Sequence, residues 1–131
     1  MAKILVVDDN DALRSIVVDF LRMHGHECDE AATAAQARTR LVEKKFDLAL
    51  SDLQMPCESG LDLLRYVVAG FPSTCFVLMS GSFDRDIRRR AMGMGALRCL
   101  SKPFKLTELL RIVQLLFPRL PTTQVRRRVV L

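Results

Sequence analysis

The sequence predicts an α/β fold with a single five-stranded parallel sheet and helices on both of its faces. Two observations predict it. Short apolar runs alternate along the 131 residues with stretches in which apolar residues recur three and four positions apart. The length suits one ordinary domain with a buried core and leaves no room for a second. Because parallel strands need crossover connections of one hand, five strand and helix pairs make a doubly wound sheet.

The first two strands are each followed by a helix with recognisable boundaries. "KILVV" (Lys3–Val7) is an uninterrupted apolar run typical of a buried strand, and Gly25 ends the helix that follows it. A weaker strand spans Glu27–Ala31. The next helix begins after Thr33, with Gln36 three residues later, which is the spacing of a capping box.

Three more pairs complete the predicted sheet. The strand sequences "LALS", "CFVLMS" and "LRCLS" precede helices at about residues 60–69, 84–94 and 109–117. Lys105 stands where a cap residue is expected, so we expect the last helix to begin late, capped by Thr107. Prolines stop that helix after residue 117, and residues 118–131 are predicted to be a basic tail or the start of a linker.

The net charge of +5 is unevenly distributed, because acidic residues dominate before residue 84 and basic residues after it. We therefore expect no direct nucleic-acid binding by this domain. No apolar run is long enough to span a membrane, so the expected location is the cytoplasm, without membrane association. The expected oligomeric state is a monomer or a weak homodimer.

Polar residues follow four of the predicted strands. Asp8 and Asp9 follow the first strand, and Asp52 ends the third. Ser80 ends the fourth strand, and Lys102 follows the fifth. Because the carboxyl ends of parallel strands share one edge, these side chains are expected to meet where open α/β sheets bind ligands.

The three carboxylates predict a magnesium site. Two carboxylates about 5 Å apart repel by roughly 3 kcal/mol at an effective dielectric near 20. Lys102 offsets one charge, and Mg²⁺, which prefers oxygen ligands and accepts a phosphate oxygen, offsets two more. In such a site Asp52 acts as the nucleophile toward a phosphoryl group, and Ser80 offers a hydroxyl. Asp52 is therefore the predicted phosphorylated residue.

These residues lie in four motifs, "VVDD", "SDLQMP" with Gly60 after it, "MSG" and "KPF", in that order. Together they resemble the receiver domain of two-component response regulators, over Met1 to about Phe117. The resemblance implies a flavodoxin-like sheet with strand order 2-1-3-4-5 and a receiver domain at residues 1–117. It also implies a phosphoacceptor signalling domain of a phosphorelay rather than an enzyme.

The resemblance assigns the metal ligands and the phosphoryl donor. Asp52 takes the phosphoryl group from the phosphohistidine of a sensor histidine kinase or a histidine phosphotransfer protein. Asp9, Asp52 and the backbone carbonyl of Gln54 bind Mg²⁺, and Asp8 assists through water. The downstream effector is not identified by the motifs.

The resemblance also assigns the switch. Lys102 contacts the phosphoryl group, Ser80 is the switch hydroxyl, and the Lys102–Pro103 peptide bond is cis. Cys99 stands where the family usually has Tyr or Phe, so it is too small to act as the usual rotating aromatic. We therefore expect the change to pass through residues 80–83 into the fourth helix. The expected partner surface, suited to an acidic segment, includes Arg88, Arg89 and Arg98.

Two other classes share parts of this pattern. A haloacid-dehalogenase-type phosphatase with Asp9 as nucleophile is the alternative, because Asp9-Asn10-Asp11 imitates its paired aspartates. Such enzymes need an acidic pair after a late strand, whereas Glu108 is the only acid beyond Lys102. A flavin carrier needs a Ser/Thr/Gly-rich phosphate loop after the first strand, and "DDND" repels phosphate. The receiver is the better match.

Overall fold

The computed structural model describes residues 1–118, in which five strands alternate with five helices. None of the helices in this part of the chain is both long and apolar enough to cross a membrane. The strands are β1 (Lys3–Val7), β2 (Glu27–Ala31), β3 (Leu48–Asp52), β4 (Cys75–Ser80) and β5 (Arg98–Ser101). The helices are α1 (Asp11–Met23), α2 (Ala34–Glu43), α3 (Gly60–Gly70), α4 (Arg85–Met94) and α5 (Leu106–Leu116).

All five strands are parallel and form one sheet in the order β2-β1-β3-β4-β5. Helices α1 and α5 cover one face, and α2, α3 and α4 cover the other. The sequence prediction of a doubly wound sheet with strand order 2-1-3-4-5 is confirmed. The strand order reverses beside β1, so a crevice opens between the carboxyl ends of β1 and β3.

The sheet is buried on both faces at its centre, which explains why its strands are apolar without alternation. Every residue of β3 is buried, and so are the last four residues of β1. Along β3, Ala49 packs under α2 and α3, whereas Leu48 and Leu50 pack under α1 and α5. The last position of this buried strand is Asp52, a carboxylate fixed in place by the core beneath it.

Four of the helices begin at a side chain that accepts a backbone N–H from the first turn, as local propensity predicts. The four N-cap residues are Asn10, Thr33, Ser59 and Asp84. In the predicted capping box, Gln36 reaches back to the N–H of Ala32 at 2.8 Å, one residue before the cap. Helix α4 ends at Gly95 with φ 117°, a left-handed conformation that favours glycine.

The start of α5 differs from the prediction. The helix begins at Leu106, and its N-cap is Lys105, which makes no side-chain cap bond. The carbonyl of Lys105 accepts the N–H groups of Glu108 and Leu109, so the backbone alone closes the first turn. The expectation that Thr107 caps a later start is therefore wrong, because Thr107 is already helical. The predicted tail beyond Pro118 lies outside the described residues.

Candidate functional site

Three carboxylates meet at the crevice between β1 and β3. Asp8, Asp9 and Asp52 each place one oxygen within 4.8 Å of the others. Asp8 is 1% exposed and Asp52 is 6% exposed, whereas Asp9 lies at the surface. We call these three residues the carboxylate site. Its two deep members are fixed by the sheet, and its third faces solvent.

Lys102 is the cation of this site. Its Nζ lies 2.8 Å from Asp8 Oδ2 and 3.3 Å from Asp52 Oδ1. Its backbone N–H donates to the carbonyl of Ser80 at 2.7 Å, which ties the end of β5 to the end of β4. The peptide bond to Pro103 is cis, as the resemblance implied. The site therefore joins residues 94 positions apart in the chain.

Burial and neighbouring charges shift the pKa values of the two central groups, Asp52 and Lys102. Burial raises the pKa of Asp52, and Asp8 raises it further, while Lys102 and a backbone hydrogen bond from Gln54 act in the opposite direction. Burial alone would lower the pKa of Lys102, but the hydrogen bond to Asp8 and the charge of Asp52 raise it above its ordinary value. The raised pKa keeps Lys102 protonated at neutral pH, beside Asp8 and Asp52.

The donor set suits a hard divalent cation. Oxygen ligands within a few ångströms of one another, one of them facing solvent, are what Mg²⁺ requires when it keeps several waters. Lys102 supplies a single positive charge against three carboxylates. The residues present therefore fit the magnesium site that the sequence predicts.

The remaining predicted site residues flank the carboxylate site. Ser80 is fully buried at the end of β4, and its Oγ accepts the N–H of Ser82 at 3.0 Å. Gln54 is exposed, two residues after Asp52, and lines a surface pocket together with Asp9. Gly60 lies beneath the same loop, where an added Cβ would stand 2.4 Å from the carbonyl oxygen of Asp52. Only glycine fits at this position.

Arg88, which belongs to the predicted partner surface, also contacts other parts of the protein through its guanidinium. It lies over the ring of Phe83, 5.0 Å from the ring centre, and donates to the carbonyl of Cys99 and the hydroxyl of Ser101, both at 3.3 Å. Arg88 thus connects the loop after β4 with β5. Sequence reasoning missed this role because the contacts join residues 11 and 13 positions apart.

Comparison with known proteins identifies the family. A sequence profile described as the response regulator receiver domain matches residues 4–114. The chain belongs to the receiver domain family. This receiver is 37% identical over 114 residues to the response regulator protein FleR of Pseudomonas aeruginosa, covering 86% of this chain and 24% of FleR. The receiver thus spans about a quarter of that relative.

Solved structures agree with this assignment. The receiver superposes on a CheY-like receiver domain protein from Methanospirillum hungatei with a TM-score of 0.84, at 26% identity, covering 87% of this chain and 91% of that one. For the chemotaxis response regulator CheY4 of Vibrio cholerae the TM-score is 0.83, at 28% identity, covering 89% and 99%. Receiver domains of response regulators are phosphorylated by histidine kinases. The role of this receiver domain is therefore in signalling. The phosphatase alternative is not favoured.

Proposed function

We propose that this receiver accepts a phosphoryl group on the carboxylate of Asp52. The observation that carries the proposal is the position of Asp52 at the end of a fully buried strand, 3.3 Å from Lys102 Nζ and beside two further carboxylates. A buried carboxylate held against a cation is a positioned nucleophile. Asp9 is more exposed and lies outside the buried sheet, so it is the weaker candidate.

In this proposal Asp9, Asp52 and the backbone carbonyl of Gln54 would hold Mg²⁺, with Asp8 assisting through water. The chemistry supplied by a cation held there would be neutralisation of charge on the phosphoryl oxygens. The support comes from the donor set, since Asp9 faces solvent and Asp52 lies deep. The side chain of Asp8 is already engaged by Lys102 and by the N–H of Asn10 at 2.9 Å, which fits an indirect role.

The transfer is written from this chain's own groups. A carboxylate oxygen of Asp52 forms a bond to phosphorus while the bond from phosphorus to the donor's imidazole nitrogen breaks, and the electron pair stays on the imidazole. The Lys102 ammonium contacts a phosphoryl oxygen. The donor is a sensor histidine kinase or a histidine phosphotransfer protein. The product is an aspartyl phosphate on Asp52, and the receiver assists only its own phosphorylation and dephosphorylation.

Switching is proposed to begin at Ser80. Its hydroxyl accepts the N–H of Ser82 in the structure described here, and it turns to donate to a phosphoryl oxygen on Asp52. Residues 80–83 then move, and α4, which follows directly, changes its surface. The exposed arginines of this helix suit an acidic protein partner.

We also propose the extent of the domain, its location and its oligomeric state. We place the receiver at residues 1–117 and a basic tail or the start of a linker at 118–131, and we propose a cytoplasmic protein without direct nucleic-acid binding by this domain. A monomer or weak homodimer is proposed.

Phosphorylation of Asp52 is tested by intact-mass measurement with Mg²⁺ and acetyl phosphate. We expect one added phosphoryl group on the wild type and none on Asp52→Asn, because the amide is not a nucleophile. Asp62→Asn, which removes an exposed carboxylate of α3, is the control and should be labelled normally. Removing Mg²⁺ with a chelator should suppress labelling. Equal labelling of Asp52→Asn, or a label that maps to Asp9, would support the phosphatase alternative.

A further inference from the structure

Arg14 lies in the first turns of α1 with three bonded partners, and the proposed mechanism does not use it. Its side chain is 14% exposed. NH1 donates to the carbonyl oxygen of Asp8 at 2.7 Å, Nε donates to Glu30 Oε1 at 3.0 Å, and NH2 lies 2.8 Å from Asp11 Oδ1. Each guanidinium nitrogen thus contacts a different element, namely the end of β1, strand β2 and the start of α1.

The Asp8 carbonyl belongs to the peptide group that leads directly into Asp9. Because a peptide group is planar, fixing the direction of this carbonyl also fixes the backbone from which the Asp9 side chain projects. Within residues 1–118 the Asp9 carboxylate itself takes part in no hydrogen bond or ion pair. In this part of the chain the backbone is therefore the constraint on where the Asp9 side chain begins.

The side chain of Asp8, unlike that of Asp9, has bonded partners. Its carboxylate is held by Lys102 at 2.8 Å and by the N–H of Asn10 at 2.9 Å. The N–H of Asp8 also donates to the carbonyl of Ala31 at 3.1 Å. Thus the side chain and the N–H of Asp8 are anchored by other groups, and Arg14 anchors its carbonyl.

The charges around Arg14 keep it in place. Burial alone would lower the pKa of Arg14, but its hydrogen bonds to Glu30 and Asp11 raise it above its ordinary value. Neither acid belongs to the carboxylate site, so both offset the charge of Arg14 without being members of that site. A planar fork with several donors is needed to reach three acceptors at once, which an ammonium group cannot do with the same geometry.

We propose that Arg14 is a positioning residue for the magnesium site: by holding the peptide between Asp8 and Asp9, it fixes the Asp9 carboxylate at cation-binding distance from Asp52. The proposal rests on the magnesium site of the proposed function. Residues that orient metal ligands commonly contribute about tenfold or more to metal affinity. Arg14 acts through Asp9 and contacts neither the metal nor the phosphoryl group.

The test is the Mg²⁺ dissociation constant, measured by calorimetric or amide-shift titration well below the unfolding temperature. Arg14→Met should weaken Mg²⁺ binding by about tenfold, and Arg14→Lys, which keeps the charge but not the fork, should lie between it and the wild type. Arg22→Met is the matched control. Arg22 lies on the same helix and donates to the Cys28 carbonyl of β2 at 2.9 Å, but far from the carboxylate site, so its loss should leave Mg²⁺ affinity unchanged.

A second measurement separates positioning from general loosening of the fold. In an Asp9→Ala background, Arg14→Met should cause no further loss of Mg²⁺ affinity, because the residue that Arg14 positions is already gone. A wild type that fails to bind Mg²⁺ overturns the proposed function together with this inference. Normal binding by the wild type with unchanged binding by Arg14→Met, equal losses in Arg14→Met and Arg22→Met, or a full further loss in the Asp9→Ala background each overturn the role of Arg14 alone.

Discussion

The carboxylate site lies at the centre of the sheet and the surface formed by α4 and β5 lies at one side of it, and the two are held in different ways. Asp8 and Asp52 are buried and contact Lys102 at 2.8 and 3.3 Å. Only Ala91 of α4 is buried, and the link from this helix to β5 through Arg88 consists of two exposed hydrogen bonds of 3.3 Å. The carboxylate site is therefore held by buried residues, whereas the surface formed by α4 and β5 is held mainly by exposed contacts.

The difference matches the two tasks of a receiver. Phosphoryl transfer needs groups held in fixed positions, which buried strands and buried charges provide. Signalling needs an element whose position changes at small cost, and such elements have few buried contacts and exposed hydrogen bonds. The two tasks fall on different parts of the chain, with acidic residues directly after β1 and at the end of β3, and arginines on α4. Mutations should therefore have large effects on one side and small effects on the other.

The largest difference in the free energy of unfolding is expected between alanine substitutions of two glycines, Gly60 and Gly93. Gly60→Ala places a Cβ 2.4 Å from the carbonyl oxygen of Asp52, so the backbone under the carboxylate site must shift. We expect the free energy of unfolding to fall by about 3 kcal/mol. Gly93→Ala is the matched control on α4, where an added Cβ meets nothing within 4 Å, and it should raise stability by about 0.5–1 kcal/mol. Urea unfolding of both variants measures this, and similar effects would remove the contrast between the regions.

A smaller effect is expected when the cation of the carboxylate site is removed. Lys102→Met leaves Asp8 and Asp52 without their positive neighbour, so the free energy of unfolding should fall by about 2 kcal/mol at neutral pH. Lys105→Met, which removes an exposed charge three residues away, should change it by less than about 0.5 kcal/mol. Urea unfolding with and without Mg²⁺ compares them.

Added Mg²⁺ is the control for the predicted loss of stability in Lys102→Met. If the carboxylates bind Mg²⁺, the added cation should restore much of the stability lost in Lys102→Met, since it replaces the missing positive charge. The Mg²⁺ affinity itself should be largely kept, because Lys102 is not a ligand, whereas labelling by acetyl phosphate should be impaired. A variant as stable as the wild type without Mg²⁺ would show that Lys102 does not offset the buried carboxylates.

Local rules predict the scaffold well because most of it depends on neighbouring residues. The apolar run Lys3–Val7 became β1 with the predicted bounds, and Thr33 caps α2 as its spacing indicates. The carboxyl ends of parallel strands share one edge of the sheet, which is why the sequence alone predicts that Asp8, Asp52 and Lys102 meet there.

Features that depend on side chains from distant parts of the chain were not predictable in the same way. Arg14 appears in the sequence as an ordinary helix residue, and only the packing of α1 against β2 shows its contacts with Asp8 and Glu30. Lys105 is the N-cap of α5 although it has no capping oxygen, and its backbone carbonyl accepts the N–H groups of the first turn. Cys57 adopts φ 71°, which no local preference of cysteine indicates.

The smallest effect on stability is expected from substituting Arg88, which connects the loop after β4 with β5. Its main expected effect is on signalling. Arg88→Met should change the free energy of unfolding by only a few tenths of a kcal/mol, because the contacts it removes are exposed. With beryllofluoride as the phosphoryl mimic, the wild type should show large amide shifts at residues 80–94 and small ones at 97–101.

In Arg88→Met the shifts at 80–83 should persist, since they depend on Ser80, while those at 97–101 should vanish with the bonds to Cys99 and Ser101. Arg89→Met, which removes an exposed arginine that makes no hydrogen bond or ion pair within residues 1–118, should leave both sets unchanged. Shifts centred on Cys99 and α5 with α4 silent, or equal effects of the two substitutions, would show that the change reaches β5 by another route.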